Sequence, residues 1–496
     1  MARIGFFSIY LVYTKMVKKM MWWILLVVAG NVVWLLIDKS PPAWDQAAHL
    51  KGIVLVNQWL RGDFWGDFTD LIRSFWGYPP LVYFIGGLVG VKMSMYLNTT
   101  FLVLAIIGVY KLAGNKILPA ILFSLFPVIY EISRGMLLDL ALTAWVVWGL
   151  YFWLKKNDWG VLLMLILASL TKLNGFIYFV PIVVLGYWRQ WEKLFVGAMI
   201  CALTVGWWWI INWPNIYLYL TGLAGQGESL TDPMNLASWR TWIHYFGLFF
   251  LQQVGPITAT IFIIFGKREN KKLIWWAVIT YVIFTIIKNK DYRFTMPLLS
   301  VVAVWLGSGL ERINHKLFRH SAVGLLLLWM GFNYVENSYN WPIKKPFVVS
   351  TKTFVLGGID WINFSEYPVR EARAEEWPDE KIIGDLPDRG RILVVMNSAQ
   401  INDNTLGFYK LMAGKNDLEI HGVDRWGKMD FDYILVPDEK TESGPFYDTQ
   451  LTLRKKVVRS IWDNIGNYEV VGEYGLPSGG RVYLLRIRPA AAGLVR

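Results

Sequence analysis

Apolar runs of membrane-spanning length recur along this chain up to about residue 337. Hydrophobic residues make up 55% of the sequence, whereas charged residues make up only 17%. A soluble protein of this length needs more charge to cover its surface. A helix of about 20 apolar residues, by contrast, is long enough to cross the hydrocarbon core of a bilayer. The pattern therefore predicts a polytopic α-helical membrane protein.

The apolar runs predict about eleven transmembrane helices. They lie near residues 20–37, 94–111, 117–133, 137–154, 159–173, 175–188, 194–213, 241–265, 272–288, 294–310 and 321–337. Lys and Arg residues cluster in alternate connecting loops, which is the positive-inside signature of cytoplasmic loops. This orientation places residues 1–19 in the cytoplasm and predicts a multi-pass protein of the plasma membrane.

The predicted orientation holds only if residues 79–91 do not cross the membrane. This segment begins with two prolines and contains Gly86, Gly87 and Gly90. It therefore reads as a juxtamembrane or re-entrant helix on the outer face. The predicted outer surface then carries loop 38–91, the short turn that contains Arg134 and Asp139, loop 213–240, and everything after about residue 340.

Several functional classes are disfavoured by composition and motifs. The net charge of +12 comes from basic residues in short loops, and no basic patch accompanies a nucleic-acid-binding module. The single Cys201 excludes an intrachain disulfide, and no Cys/His spacing fits a zinc site. The sequence also lacks a phosphate-cradling Gly-rich loop, a nucleotide fingerprint and a serine-nucleophile elbow. A cytoplasmic enzyme that uses nucleotide sugars is therefore not indicated.

Charged residues and turn formers become frequent after Trp341, which predicts a small extracytoplasmic α/β domain over residues 340–496. Buried strands are predicted at 391–396 and 431–437. Helices are predicted at 402–412, capped near Asn402 or Asn404, and at 451–465. Residues 468–471 and 481–488 are predicted to pair as a hairpin.

Two carboxylates lie beside apolar runs on the predicted outer side. Asp45 and His49 are four residues apart, so on a helix they share a face. Asp45 could act as a general base or orient an acceptor, or it could be a solvated carboxylate beside a surface histidine. Asp139 needs a partner or water so close to an apolar run, and Arg134 or a network through Glu131 could supply one. The alternative for Asp139 is a salt bridge that fixes a turn.

Cations on the predicted outer side run against the positive-inside trend. Lys172 lies between two apolar runs, and Lys288, Lys290 and Arg293 lie together before a third. Cations at helix ends can bind a lipid phosphate at this depth. They could also snorkel to headgroups of the outer leaflet. Two separate outer clusters favour phosphate binding.

In this order the motifs resemble those of the GT-C glycosyltransferases, most closely the family that includes protein O-mannosyltransferases and bacterial aminoarabinose transferases. The resemblance covers about residues 20–310. It rests on Trp44-Asp45, Tyr78-Pro79-Pro80-Leu81, Arg134 with Asp139, Thr171-Lys172-Leu173-Asn174-Gly175 and Tyr292-Arg293-Phe294-Thr295-Met296-Pro297.

The resemblance implies a membrane glycosyltransferase. Its donor would be a sugar on a polyprenyl phosphate, and its acceptor a lipid, glycan or protein at the outer face. Asp45 would be the catalytic base and Asp139 a second essential carboxylate, while Lys172 and Arg293 would hold the lipid phosphate. The further substrate-binding candidates are His49, Tyr78, Arg134 and Lys290.

The chain departs from the family at Gln46, where related proteins often carry Glu. This loss of a carboxylate disfavours an obligatory metal ion. Asp63, Asp67 and Asp70 could substitute for the lost carboxylate and allow a divalent cation, but their spacing is more typical of a solvated loop. We therefore expect no obligatory cofactor.

The competing function is a transporter or flippase of lipid-linked sugars. Such a protein would also need outer cations and a membrane cavity. The sequence shows no inverted repeat and no broken helices in matching positions, which are typical of transporters.

Overall fold

The computed structural model describes residues 2–64, 66–75, 77–221, 235–339, 341, 353–356, 359–363, 372–441, 450–477 and 479–488. The first part is helical. Helix α1 (Ala2–Ile37) has 36 residues, so residues 2–19 of the predicted cytoplasmic segment continue the first apolar run as helix. The segment that follows contains α2 (Trp44–Arg61), α3 (Phe68–Arg73), α4 (Leu81–Val89) and α5 (Val91–Ser94).

One helix or a pair of helices lies at each of the other ten predicted spans. They are α6 (Leu97–Leu112), α7 (Ile117–Ser124), α8 (Pro127–Ile132), α9 (Leu138–Leu154), α10 (Asp158–Ser169), α11 (Val180–Gly186), α12 (Trp191–Thr204), α13 (Gly206–Thr221), α14 (Trp239–Leu248), α15 (Pro256–Phe265), α16 (Lys271–Ile286), α17 (Leu298–Glu311) and α18 (Lys316–Tyr339). Helix α13 continues nine residues into the predicted loop 213–240, and residues 222–234 of that loop lie outside the described residues.

Fewer helices than predicted can cross a membrane by length and composition. Within the described ranges only Lys18–Ile37 and Val91–Leu112 qualify, and two bent pairs of helices raise the number to four. The predicted count of about eleven spans is not reached on this criterion, because the chain breaks many apolar runs into shorter helices. The chain is mostly helical, and its apolar helices are those of an integral membrane protein.

The breaks have local causes. Pro127 begins α8 because its ring nitrogen cannot donate a helical hydrogen bond, so the run 117–133 divides there. Helices α14 and α15 are bent by 117° across a π-helical turn at Phe249–Gln253. Gly255, at φ +81°, and Pro256 follow that turn and start a new helix direction.

Helix α4 has nine residues, which span only about 14 Å. A helix of this length is too short to cross a bilayer by itself, and that residues 79–91 do not cross stays a prediction. A Cβ atom at Gly86 or Gly87 would collide with Ile53 or Val56 of α2, so these two glycines let α4 lie directly against α2. The side of the membrane on which each loop lies stays a prediction.

The C-terminal part contains a mixed sheet of five strands. The strands are β3 (Gly390–Val394), β4 (Leu418–Gly422), β5 (Tyr433–Pro437), β6 (Tyr468–Gly475) and β7 (Arg481–Ile487), in the order β4-β3-β5-β7-β6. Strand β3 runs parallel to β4 and β5, whereas β7 runs antiparallel to β5 and β6. Helices α19 (Asp379–Asp385), α20 (Asp403–Met412) and α21 (Leu451–Asp463) accompany it. A separate short pair, β1 (Thr353–Leu356) and β2 (Ile359–Asn363), is antiparallel.

The predicted strands, the two predicted helices and the hairpin of this part are confirmed. Asn402 caps α20 by accepting hydrogen bonds from the backbone of Asn404 and Thr405. Strand β4 was not predicted. Only its first residue, Leu418, is buried, so this edge strand lacks the apolar pattern of a central strand.

Helix α20 joins the two parts of the protein. Its Phe408 is buried in the hydrophobic cluster of the membrane helices, while Leu406 belongs to the cluster on one face of the sheet. Helix α20 packs on α2. This contact brings the C-terminal domain against the segment that carries Asp45.

Candidate active site

Four charged side chains from distant segments meet at one place in the structure. Asp45 lies in the first turn of α2, Asp139 in the first turn of α9, and Lys172 in the turn after α10. Arg293 lies in a 3-10 turn at Tyr292–Thr295, just before α17. These four residues, together with Asp291, form what we call the charged cluster.

Ion pairs connect all members of the charged cluster. Lys172 Nζ lies 2.6 Å from Asp139 Oδ1, and Arg293 Nη1 lies 4.0 Å from Asp139 Oδ2. Arg293 Nη2 lies 3.1 Å from Asp45 Oδ2. The predicted convergence of Lys172 and Arg293 at one site is therefore seen in the geometry, while their role in binding phosphate stays a prediction.

Asp291 was not a predicted site residue, although it lies in the motif that contains Arg293. Its Oδ1 accepts a hydrogen bond of 2.8 Å from the Arg293 backbone, and its Oδ2 accepts one of 2.7 Å from Arg293 Nε. Arg293 Nη2 donates to the same Oδ2. The carboxylate therefore caps the 3-10 turn and orients the guanidinium. The sequence places an aspartate two residues before an arginine. At this spacing the aspartate side chain can accept a hydrogen bond from the backbone N–H of the arginine.

The turn that carries Lys172 is tightly held. Thr171 Oγ1 donates 2.7 Å to Leu167 O and accepts 3.0 Å from Trp145 Nε1. Gly175 lies so close to the backbone of Ala168 that a Cβ would collide with it. Thr171 and Gly175 of the Thr-Lys-Leu-Asn-Gly motif therefore support the turn that carries Lys172.

The turn before Asp139 has its own support, which was also not predicted. The buried Asn98 of α6 donates its side-chain amide to Leu137 O at 2.8 Å and to Ile132 O at 3.2 Å. These bonds connect the end of α8 to the start of α9. They fix the start of α9, where Asp139 lies, relative to α6.

The members of the cluster differ in exposure, and this divides their possible roles. The side chain of Asp139 is 4% exposed and that of Arg293 is 9% exposed, whereas that of Asp45 is 40% exposed. Burial acts to raise the pKa of Asp45, but the Arg293 guanidinium opposes it, and the pKa lies below its ordinary value. Asp45 is therefore an ionised carboxylate that is partly exposed to solvent.

His49 lies one helical turn after Asp45, but it does not face solvent. It is buried, and its Nδ1 lies 2.8 Å from the Tyr83 hydroxyl. Tyr78 contacts the imidazole edge-on, with ring centroids 4.8 Å apart. Leu81 N, three residues later, donates 2.9 Å to Leu170 O beside the Lys172 turn. His49 and Tyr78 therefore connect α2 to the segment that closes the outer loop, and their binding of substrate stays a prediction.

The environment of His49 predicts acid sensitivity. Burial lowers the pKa of His49 to about 4 from an ordinary value of 6.5. Between these pH values His49 is protonated in the unfolded chain but neutral in the native protein. The free energy of unfolding therefore falls as pH falls from about 6.5 to about 4. We expect a loss of roughly 2 kcal/mol at pH 5.

Melting temperatures at about pH 7.5 and about pH 5 test this expectation, with His49→Gln as the comparison. The variant should lose less stability on acidification than the wild type. The pKa of Asp45 is lowered from its ordinary value, so Asp45 takes up a proton only at pH values more acidic than the two compared and does not contribute to the difference. Equal acid sensitivity in both proteins would contradict the assignment to His49.

Arg134 lies apart from the charged cluster. Its guanidinium is within 5.5 Å of the ring centroids of Trp34, Tyr130 and Tyr334, and its Nε donates 3.3 Å to Asn31 Oδ1. Among the described residues it forms no ion pair with Asp139, which is paired with Lys172 instead. The interpretation of Arg134 as the partner of Asp139 is therefore wrong. Its contacts join α1, α8 and α18 through cation–π interactions.

Lys290 also points elsewhere. Its ammonium donates 2.8 Å to Thr285 O and 2.5 Å to Ile287 O, at the end of α16. The negative end of a helix dipole is a natural place for this charge. The structure therefore places Lys290 at a helix terminus rather than in the charged cluster, and its binding of substrate stays a prediction.

Within the described residues, no three His, Cys, Asp or Glu side chains converge as metal ligands. Gln46 packs against Gly135 rather than adding an oxygen beside Asp45. Asp67 and Asp70 cap α3 through a reciprocal pair of hydrogen bonds. The donor set around the cluster does not fit a resident divalent cation.

The chain was compared with known proteins and structures. No family model matches it, and no curated protein matches it. Two crystal structures of ArnT from Cupriavidus metallidurans, an aminoarabinose transferase of the GT-C family, match nearly the whole chain. The apo structure has a TM-score of 0.55 at 15% identity, over 96% of this chain and 99% of the ArnT chain. The structure bound to undecaprenyl phosphate has a TM-score of 0.53 at 15% identity, over 94% and 98%. The predicted resemblance is thus confirmed for the fold.

Proposed function

We propose that this chain, which has the fold of ArnT, transfers a sugar from a polyprenyl-phosphate donor to an acceptor at the outer face of the membrane. One observation carries the proposal. An accessible carboxylate, Asp45, lies 3.1 Å from a buried guanidinium, Arg293, and a lysine–carboxylate pair lies on the other side of that guanidinium. The bound undecaprenyl phosphate in one ArnT structure supports a lipid-phosphate donor.

The cations of the cluster have hydrogen-bond donors left for a phosphate. Arg293 carries five N–H donors in a planar fork, and Asp291 and Asp45 occupy only part of them. Lys172 carries three donors, one of which is directed at Asp139. In transfer, the bond between the anomeric carbon and the phosphate oxygen breaks, and the phosphate leaves with both bonding electrons. Fixed cations in a partly dry site stabilise that developing charge.

Asp45 would take the proton of the acceptor. The acceptor oxygen or nitrogen bonds to the anomeric carbon, and its proton moves to the Asp45 carboxylate. Arg293 lowers the pKa of Asp45 in the free protein, which makes it a weak base. A lipid phosphate that binds the Arg293 guanidinium would weaken the electrostatic attraction between Arg293 and Asp45. The pKa of Asp45, and so its strength as a base, would rise. Donor binding would then prepare the base.

A single assay tests the proposal. The purified protein in lipid is given a polyprenyl-phosphate sugar that carries a radiolabel in the sugar, together with extracts of envelope lipid, glycan and protein as acceptors. A transferase releases free polyprenyl phosphate and moves the label to one acceptor class. A transporter or flippase moves the intact donor across the bilayer without releasing polyprenyl phosphate, and that result would overturn the proposal.

Lys172 gives a separate prediction about donor affinity. We expect Lys172→Ala to weaken donor binding by about 1.5–3 kcal/mol, the range for a lost charge-assisted hydrogen bond. Calorimetric titration with the lipid-linked donor measures it. Lys92→Ala, which removes an exposed lysine of α5, should leave the affinity unchanged. Equal affinity in the Lys172 variant and the wild type would remove Lys172 from the phosphate site.

A further inference from the structure

The C-terminal domain touches the backbone immediately before Asp45. Trp44 Nε1 donates a hydrogen bond of 2.9 Å to Asn397 Oδ1, across 353 positions of sequence. Thr405 Oγ1 of α20 donates 3.0 Å to Pro42 O. Further along α2, Lys51 Nζ donates 3.2 Å to Asn404 Oδ1. Residues 42, 44 and 51, before and along α2, therefore each contact a side chain of the C-terminal domain, and Asn397 is the one that contacts the first turn of the helix.

Trp44 has an unusual backbone conformation. Its φ is +24°, and only two other non-glycine residues among those described have a positive φ. A bulky residue rarely adopts this region, and it persists only where surrounding contacts hold it. The N-cap residue Ala43 supplies no side-chain hydrogen bond to the helix. The backbone amides of Gln46 and Ala47 donate to Ala43 O, and the side-chain hydrogen bond at Trp44 goes to Asn397 of the C-terminal domain.

Asn397 itself is firmly placed. It follows β3, in a loop that Asn402 closes by donating its side-chain amide to Ser398 O at 3.0 Å and to Ala399 O at 3.3 Å. The same Asn402 caps α20. The loop and the helix that packs on α2 are thus one unit, so Asn397 presents its carbonyl oxygen to Trp44 from a rigid support.

We propose that Asn397 is a positioning residue for sugar transfer, acting through Trp44 on Asp45. This inference rests on the function proposed above. Asp45 is the next residue after Trp44, and its carboxylate lies at hydrogen-bond distance from Arg293. Without the Asn397 contact, Trp44 relaxes toward negative φ and the first turn of α2 moves. A displacement of about 1 Å at a reacting group costs on the order of 100-fold in rate.

Two substitutions at one position separate positioning from folding. Asn397→Leu keeps the size of the side chain but removes the acceptor oxygen, whereas Asn397→Asp keeps that oxygen. We expect Asn397→Leu to lower kcat by roughly 10- to 100-fold with an unchanged donor affinity, and Asn397→Asp to restore most of the rate. A loss of donor affinity and melting temperature together with kcat would indicate a structural role and overturn the proposal.

A double-mutant cycle tests the path through Trp44. Trp44→Phe keeps the aromatic ring but removes the N–H donor. If one hydrogen bond carries the effect, the double variant Trp44→Phe with Asn397→Leu is no slower than the slower single variant. Multiplied losses would overturn the path. Trp462→Phe is the matched control, because it removes an indole bond of 3.0 Å to Pro437 O elsewhere in the same domain and should leave kcat unchanged.

Hydrogen exchange distinguishes this inference from the proposed function. In Asn397→Leu, the backbone amides of residues 44–48 should exchange faster than in the wild type, while those of α9 remain unchanged. If the wild-type protein releases no polyprenyl phosphate, the proposed function fails, and faster exchange still supports the coupling of Asn397 to this turn. Unchanged exchange in residues 44–48 would overturn the positioning role whatever the activity.

Discussion

Asp45→Asn is expected to lower the rate of sugar transfer by at least ~100-fold without unfolding the protein. Asn keeps the shape of the side chain, and Arg293 retains Asp291 as its partner. The buried guanidinium is therefore not left without a counter-charge. The amide cannot accept the proton of the acceptor, so the chemical step fails while the donor site remains.

The measurement is single-turnover transfer by purified variants on a lipid-linked sugar, with donor affinity determined in parallel. Asp63→Asn is the matched control, because Asp63 is an exposed carboxylate just after the other end of α2. It should transfer at the wild-type rate. Near-normal transfer by Asp45→Asn would show that the base lies elsewhere, and Asp139 would become the next candidate.

Arg293→Met is expected to have the second large effect, on both stability and donor binding. The substitution leaves the carboxylate of Asp291, which is 9% exposed, without its cation. Breaking a buried ion pair by removing one partner costs about 3–5 kcal/mol. Donor binding should be lost because the planar fork is removed. Arg293→Lys should not rescue it, since a lysine cannot reproduce bidentate contacts.

A compensating variant separates the two effects of Arg293. Adding Asp291→Asn to Arg293→Met neutralises the stranded carboxylate, so part of the melting temperature should return. Transfer and donor affinity should not return, because the cation is still missing. Wild-type donor affinity in a folded Arg293→Met protein would remove Arg293 from the proposed phosphate site. An unchanged melting temperature would show that the pair is not a stabilising element.

Much of the architecture could be predicted because it depends on local patterns. Apolar runs predicted the helical segments, and the short run after two prolines predicted the short helix α4. Strands of the C-terminal sheet were predicted where both faces are buried, as in β5. The edge strand β4 was missed, because a strand exposed on one side has no continuous apolar run. The breaks inside the apolar runs were not predicted, because hydropathy does not show where a helix bends.

The candidate site was likewise predictable from the sequence only in part. Asp45, Asp139, Lys172 and Arg293 could be recognised from the sequence, because an ionisable group beside an apolar run requires a partner or a function. The partners could not be recognised, since they depend on which helix faces meet after packing. Asp139 pairs with Lys172, 33 residues away, and not with the nearby Arg134, whose guanidinium contacts three aromatic rings.

The sequence by itself thus determined the chemical groups that the protein carries near its membrane helices and the secondary structure around them. Only the tertiary structure decided which cation each carboxylate meets, that Lys290 caps a helix, and that Asn397 of the C-terminal domain contacts Trp44. The physical reason is that burial makes an unpaired charge costly wherever it lies. Each buried charge therefore requires a partner of opposite charge, and the packing of helices far apart in the sequence determines which residue that partner is.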